Sequence, residues 1–191
     1  AGPTLDPGTG NLSFTPALNA NGSAVVTVVL KDGGGTSGGG QDSSPPQTVT
    51  ITVTPVNDAP SFAKGSDRTV LEDAGPQTVA GWAGNVSTGP ADESGQSLSF
   101  EITGNSNPSL FAAGPGLDAG TGNLTFTPAG NANGSAVITV VLTDNGGTIG
   151  GGHDTSPPQT VTITVTPVND TPSFTGGGNP TALEDAGPQT I

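Results

Sequence analysis

The chain contains no cysteine, one histidine and only three Lys and Arg residues. Without thiols, neither disulfides nor thiolate metal sites can hold the fold together. Three cations against sixteen Asp and Glu leave a net charge of −13. A nucleic-acid binder needs a basic face, and an anionic membrane surface attracts clustered Lys and Arg, so both partners are excluded. No apolar run is long enough to span a bilayer, and no signal peptide is visible, so membrane insertion is not expected of this segment. The repeat pattern described next is already under way at the first residue, so any targeting segment is expected upstream. An excess of carboxylate of this size suits a medium in which salt or divalent cations neutralise the self-repulsion.

Glycine and proline are plentiful instead, with 32 and 18 residues among 191. That level borders on low-complexity composition, for which disorder is the default reading. Self-similarity argues against it. Residues 1–79 align without a gap on residues 113–191, and about three quarters of the paired positions are identical, far beyond shared compositional bias. The period of 112 residues is close to the size of an immunoglobulin-like sandwich and much longer than a helical-solenoid or propeller-blade unit. The segments Val56-Asn57-Asp58-Ala59-Pro60 and Val168-Asn169-Asp170-Thr171-Pro172 bracket one period. Residues 1–58 therefore form the C-terminal half of one repeat, residues 59–170 a complete repeat, and residues 171–191 the start of a third. This organisation predicts either a window on a longer array or a subunit completed by its neighbours.

Alternation of Val and Ile with Thr marks half-buried strands. Residues 160–166 show it most clearly, with Val161, Ile163 and Val165 on one face; this is the expected last strand of the repeat, and residues 48–54 are its copy. Residues 135–142 (SAVITVVL) are more continuously apolar, as a central strand should be. Residues 98–103 and 124–127 alternate, and 69–71, 77–82 and 109–112 are shorter candidates. About seven strands and no helical period predict an all-β sandwich. Asn133-Gly134 and Asn145-Gly146 supply turns tolerant of positive φ. Pro157-Pro158 is compatible only with the start or edge of the following strand. Trp82, Phe100, Phe111 and Phe126 are expected in the core, although Trp82 is also the single candidate for stacking on a sugar.

Acidic clusters recur at loop positions. Asn57-Asp58 recurs as Asn169-Asp170, Glu72-Asp73 as Glu184-Asp185, and Asp144 has its copy at Asp32. Asp92-Glu93 precedes a strand. Calcium takes six to eight oxygens from carboxylates, amide carbonyls and backbone, and Asp, Asn and Glu at strand ends supply that set without His or Cys. Carboxylates clustered without cationic partners repel one another, which a bound divalent ion relieves. The alternative is that they are solvated turn residues, since Asn-Asp-x-Pro is good turn chemistry by itself.

The segment Val56-Asn57-Asp58-Ala59-Pro60-Ser61-Phe62 resembles the linker signature of cadherins and bacterial cadherin-like repeats. Leu142-Thr143-Asp144-Asn145-Gly146-Gly147, running on to the Thr-Ile-Thr-Val strand, is similar to the closing pattern of that family. So is the acidic stretch Asp92-Glu93-Ser94-Gly95-Gln96 before its strand. The resemblance implies tandem immunoglobulin-like (cadherin-like) sandwiches with calcium at the junctions. Asn57 and Asp58 with Asp92, Glu93 and Asp144 would serve the first junction; Glu72 with Asn169 and Asp170 would serve the second. Asp32 and Glu184 are the corresponding copies. The mid-domain acidic motif of animal cadherins is absent, and residues 128–134 (PAGNANG) stand in its place, so the chain looks closer to the repeat proteins of bacterial surfaces.

Other chemistries fail on specific residues. The glycine-rich stretches 33–40 and 146–152 lack the Gly-Lys-Ser/Thr ending of a phosphate loop and read as flexible hairpin tips. His153 is replaced by Gln41 in the other copy, which no zinc site or Ser-His-Asp triad would survive. Lys31 and Lys64 pair with Thr143 and Gly176, so no lysine recurs for an intramolecular isopeptide bond. No enzyme is expected. The expected function is that of an extracellular structural or adhesive segment on a bacterial surface, stiffened by calcium and contacting neighbouring repeats and a cell-surface or matrix target. The alternatives are a self-assembling filament joined by strand complementation between subunits and a carbohydrate-binding module.

Overall fold

The computed structural model describes residues 2–190; Ala1 and Ile191, the outermost positions of the first and last segments, lie outside it. In the first segment β1 (Thr4–Leu5) pairs with β2 (Leu12–Ser13), and β3 (Gly22–Val28) pairs antiparallel with β4 (Gln47–Val53). The complete repeat holds β5 (Ser61–Ala63), β6 (Arg68–Leu71), β7 (Gln77–Val79), β8 (Gly84–Ser87), β9 (Leu98–Asn105), β10 (Phe111–Leu117), β11 (Leu124–Pro128), β12 (Gly134–Asp144) and β13 (Gln159–Thr166). One sheet runs β6-β13-β12-β9 and another β10-β11-β7, with β5-β8 as a separate pair. All pairings are antiparallel except β6 with β13.

The alternation read from residues 160–166 is what the sheet uses. Val161, Ile163 and Val165 face inward opposite Ile138 and Ala136, and all five are buried. The continuous apolar run of β12 has its cause in its position, between β13 and β9, where both edges are paired. Leu110, Leu124, Phe126 and Trp82 close the core from the other side. Phe62 meets Phe100 edge to face with ring centroids 5.0 Å apart, and Phe111 meets Phe126 in the same way at 5.9 Å. That geometry sets the positive edge of one ring on the negative face of the other.

The repeat holds nine strands where about seven are legible in its sequence. The two that escape are β5 and β8, a short pair built from Ser-Phe-Ala and Gly-Asn-Val-Ser, neither of which alternates. The expected strand over 77–82 stops at Val79. Trp82 sits in the turn beyond, 2% exposed, with Nε1 donating to the Ser66 carbonyl at 3.0 Å. Buried there, Trp82 offers no face for a sugar. The expected strand over 109–112 begins only at Phe111, because Pro108–Leu110 forms a 3-10 turn with proline at its start. Residues 171–190 form no strand.

The first segment repeats the local geometry of the complete repeat. The pairs Ala24↔Ile51 and Val26↔Val49 copy Ala136↔Ile163 and Ile138↔Val161, and Ser23–Thr52 and Ser135–Thr164 hydroxyl contacts are both 3.1 Å. Burial differs: Ile138 is inaccessible, whereas Val26 is half-buried. Ile138→Ala should therefore destabilise the complete repeat by about 2–4 kcal/mol through lost transfer energy and a cavity. The same truncation at Val26 should cost less than about 1 kcal/mol, since its methyl groups are already partly in water. Urea denaturation of the two variants, compared at unchanged m-value, measures the difference.

Candidate functional site

Two backbone junctions flank the complete repeat, and the first is a built structure. Asn57 enters between the ends of β9 and β12. Its Nδ2 donates to Asp144 Oδ1 at 3.0 Å and to the His153 carbonyl at 2.6 Å, while its Oδ1 accepts from Gln96 Nε2 at 2.7 Å. The His153 amide donates to the Asn57 carbonyl at 2.9 Å. Asn57 is thus bonded on side chain and backbone to the repeat that follows it. The adjacent Asp58 amide donates to Glu93 Oε1 at 2.7 Å. An amide side chain is the natural occupant, because it donates to a carboxylate and a carbonyl while accepting from another amide.

The glycine-rich stretch 146–152 is not the flexible hairpin tip its composition suggests. It wraps Asn57 closely. A Cβ on Gly146 would collide with Asn57 Oδ1, and one on Gly152 would lie 3.0 Å from Asn57 Cβ. Gly89 plays the same part beside Glu93, where φ is +132° and a Cβ would overlap Glu93 Oε2. The glycines are there for close approach to the linker. The 3-10 turn Ala91–Glu93 directs Glu93 inward to 7% exposure and leaves Asp92 outside.

Three oxygens of this cluster are buried without a hydrogen-bond partner: Glu93 Oε2, Asp144 Oδ2 and Gln96 Oε1. Each belongs to a side chain bonded to Asn57 or to the Asp58 amide. Leaving such atoms unpaired costs free energy, more for a carboxylate than for an amide. Among the described residues no three His, Cys, Asp or Glu side chains gather around one point. The oxygen set is therefore mixed, two carboxylates and an amide carbonyl, all hard donors of the kind calcium takes. That donor set fits the ion implied by the linker resemblance.

The remaining expected residues divide. Asp58 and Asp92 are exposed, and Asp92 accepts from Asn21 of the first segment across the junction. Glu72 lies at the opposite end of the repeat, 5% exposed, accepting from the Val168 amide at 2.8 Å and from Asn133 Nδ2 at 3.5 Å. It is thus beside the second linker. Asn169 and Asp170 are exposed, with Asn169 bonded only locally to the Asp170 carbonyl. Asp32 caps its own turn through the Gly34 amide and touches no linker, and Glu184 is exposed in the strandless segment. Gln96 and Asn21 are the contributors that motif reading passes over; Gln96 stands within the acidic stretch, three residues after Glu93. Elsewhere, Asp118 is held below the ordinary carboxylate range by the Thr121 hydroxyl and amide, and its copy Asp6 by the Thr9 and Gly8 amides. Both are exposed turn caps, remote in sequence from the linker.

No protein-family model matches the chain, and no curated protein matches it. Nine chains of solved structures do. The human protocadherin-24 EC1-2 crystal structure (form II) is similar over 89% of this chain and 77% of that one, with a TM-score of 0.57 and 17% sequence identity. The fold is a cadherin-like β-sandwich. At that identity the likeness covers architecture, and it extends over both the first segment and the complete repeat.

Gly146→Ala should push Asn57 from its seat and expose the His153–Asn57 bond. Hydrogen exchange at the His153 amide should accelerate by roughly tenfold or more, the equivalent of about 1.4 kcal/mol of local stability. Gly130→Ala, which meets nothing within 4 Å, is the control and should leave that amide unchanged.

Proposed function

We propose that the chain is a segment of an extracellular structural or adhesive array whose tandem sandwiches are stiffened by calcium at their junctions. The observation that carries this reading is the set of buried, unpartnered oxygens on Glu93, Asp144 and Gln96 around the linker residues Asn57 and Asp58. Glu93 and Asp144 would supply the charged ligands, Gln96 the amide oxygen, and Asp58 and Asp92 carboxylates from the open side. A divalent ion there would neutralise carboxylates in a chain that has only three Lys and Arg residues. It would also tie the linker to the following domain more firmly than hydrogen bonds alone. At the second junction Glu72 would join Asn169 and Asp170 once a following repeat is folded.

The cadherin-like fold supports an adhesion-type role outside the cell, and the linker resemblance a bacterial surface, with neighbouring repeats as the first partners and a surface or matrix molecule as the distal one. The acidic composition supports the same setting. Such a role calls on geometry and stiffness and on no reactive group.

Calcium at a hundredfold excess over its dissociation constant should stabilise the complete repeat by about 2.7 kcal/mol. Thermal unfolding with calcium and with chelator measures this as a rise in Tm, and small-angle scattering under the same conditions should show a narrower spread of interdomain angles. Glu93→Gln combined with Asp144→Asn should abolish both responses while retaining the fold, because each replacement keeps the shape and removes the charge. Superimposable melting and scattering curves for the unaltered chain in calcium and chelator would sink the proposal.

A further inference from the structure

Within the complete repeat, one edge of β13 is covered over only part of its length. Parallel pairing with β6 runs from Ile163↔Arg68 to Thr166↔Leu71, whereas β13 itself begins at Gln159. Its other edge is paired with β12 from Gln159 to Val165. On the β6 side, residues 159–162 therefore have no strand beside them. Pro157 and Pro158 bound this stretch and offer no N–H for pairing. Thr160 is exposed and Thr162 half-buried, so the backbone here lies within reach of solvent. An uncovered run of strand backbone is a template for another strand.

Two side chains occupy it. Lys64 Nζ donates to the Thr160 carbonyl at 2.7 Å, and Asp67 Oδ1 accepts from the Thr162 amide at 2.9 Å. Both come from the loop between β5 and β6, just before β6 takes over the edge. The loop is fixed from behind. Trp82, buried in the core, donates from Nε1 to the Ser66 carbonyl at 3.0 Å. A Cβ on Gly65 would lie 2.7 Å from Trp82 Cδ1, so this residue has to be small. With Gly65 and Ser66 held on the indole, the residues on either side reach β13. Lys64 and Asp67 are themselves exposed, so the core does not call for a charge at either position. The matching positions of the next copy hold Gly176 and Asn179 and carry no such charged pair.

The two covered groups are an acceptor and a donor two residues apart on one strand. That pair is self-complementary. About a two-fold axis at Val161, the Thr162 amide of each copy would meet the Thr160 carbonyl of the other, as in an antiparallel hydrogen-bonded pair. Such a contact is isologous and closes at two copies. We infer that Lys64 and Asp67 guard a latent docking edge on β13, whose occupant, once the guard is removed, is the same edge of a second copy. By filling both positions from within the chain, the guard keeps neighbouring molecules from joining side by side. The inference involves the complete repeat alone and uses no calcium, so it stands apart from the metal reading of the junction. With a net charge of −13 on each copy, the guarded edge is tested where salt screens the repulsion.

Lys64→Ala with Asp67→Ala opens the edge without touching the core. In sedimentation velocity at physiological salt with chelator, the unaltered chain should stay monomeric. The double variant should shift to dimer as concentration rises, with no larger species. Hydrogen exchange at the Thr162 amide should run roughly tenfold or more faster in the dilute double variant, through loss of a charge-assisted bond. It should slow again at concentrations where the dimer forms. Lys64→Arg with Asp67→Asn keeps a donor and an acceptor in place and should remain monomeric with that amide protected. Emission from Trp82, the single tryptophan, should be unchanged in every variant. A double variant that stays monomeric at all concentrations, association without renewed protection of Thr162, or equal dimerisation of the unaltered chain would each overturn the inference. So would a red-shifted Trp82 emission in the double variant, since the two side chains would then hold the core and not the edge.

Discussion

The geometry of the junction depends on the side-chain amide of Asn57. It gives two hydrogen bonds and takes one, all with the domain that follows it, and its carbonyl takes a fourth. An aspartate there would set a second negative charge against Asp144; a leucine would orphan the Gln96 amide and the His153 carbonyl. Much nearby follows from admitting this one residue. Gly146 and Gly152 lack the Cβ that would displace it, and the loop between β12 and β13 closes over it. Glu93 then takes the next amide along the chain. The linker belongs to the downstream sandwich as an integral strap.

The near-identity of the two copies separates local from tertiary causes. Residues 22–28 and 134–140 pair with their partners in the same register and share the same turn conformations. Hairpin formation is thus local, driven by the alternation of the two paired strands. Burial is tertiary: Val53 is half-buried where Val165 is enclosed, and the difference is the presence of β6, β9 and Leu110 over the second copy. Residues 171–190 make the complementary point, since a stretch that matches residues 61–71 at five of eleven positions forms no strand where no counterpart of β13 lies beside it. A parallel edge strand has no hairpin of its own to nucleate it and takes its structure from the sheet it joins.

That distinction explains what could be read from the residues. β9, β11 and β13 announce themselves by alternation against a paired neighbour, and β12 by its continuous apolar run. β5 and β8 do not, being three- and four-residue pieces whose pairing is with each other at the margin of the sandwich. At the site, the family resemblance implied that Asn57, Glu93 and Asp144 share the first junction and Glu72 the second, and the hydrogen bonds place Asn57 against Asp144, Asp58 against Glu93 and Glu72 beside Val168. Gln96 escaped because an amide carries no charge to draw attention, and Asn21 because its role lies across a domain boundary. The glycine-rich loop was misread for a physical reason: glycine serves both freedom and close approach, and composition does not say which. Only the neighbour, here Asn57, decides it.

The two ends of the complete repeat present different chemistry. One end holds Glu93, Asp144 and Gln96 folded around an incoming linker; the other holds Glu72, already buried and bonded to the outgoing Val168 amide. Glu72 is held in place by the Val168 amide and Asn133 Nδ2, without a contact from the strandless residues 171–190 among its hydrogen bonds. Unlike ends stack in one direction only, which makes a linear array the natural consequence of the sequence repeat. The electrostatics point the same way. Three cations cannot offset sixteen acids, and at the first junction Glu93 and Asp144 each have one oxygen met by N–H donors and the other left bare. Hydrogen bonds position those groups without cancelling their charge. In the proposed array the balance comes from outside the chain, from a hard cation whose chemistry matches the oxygens left over.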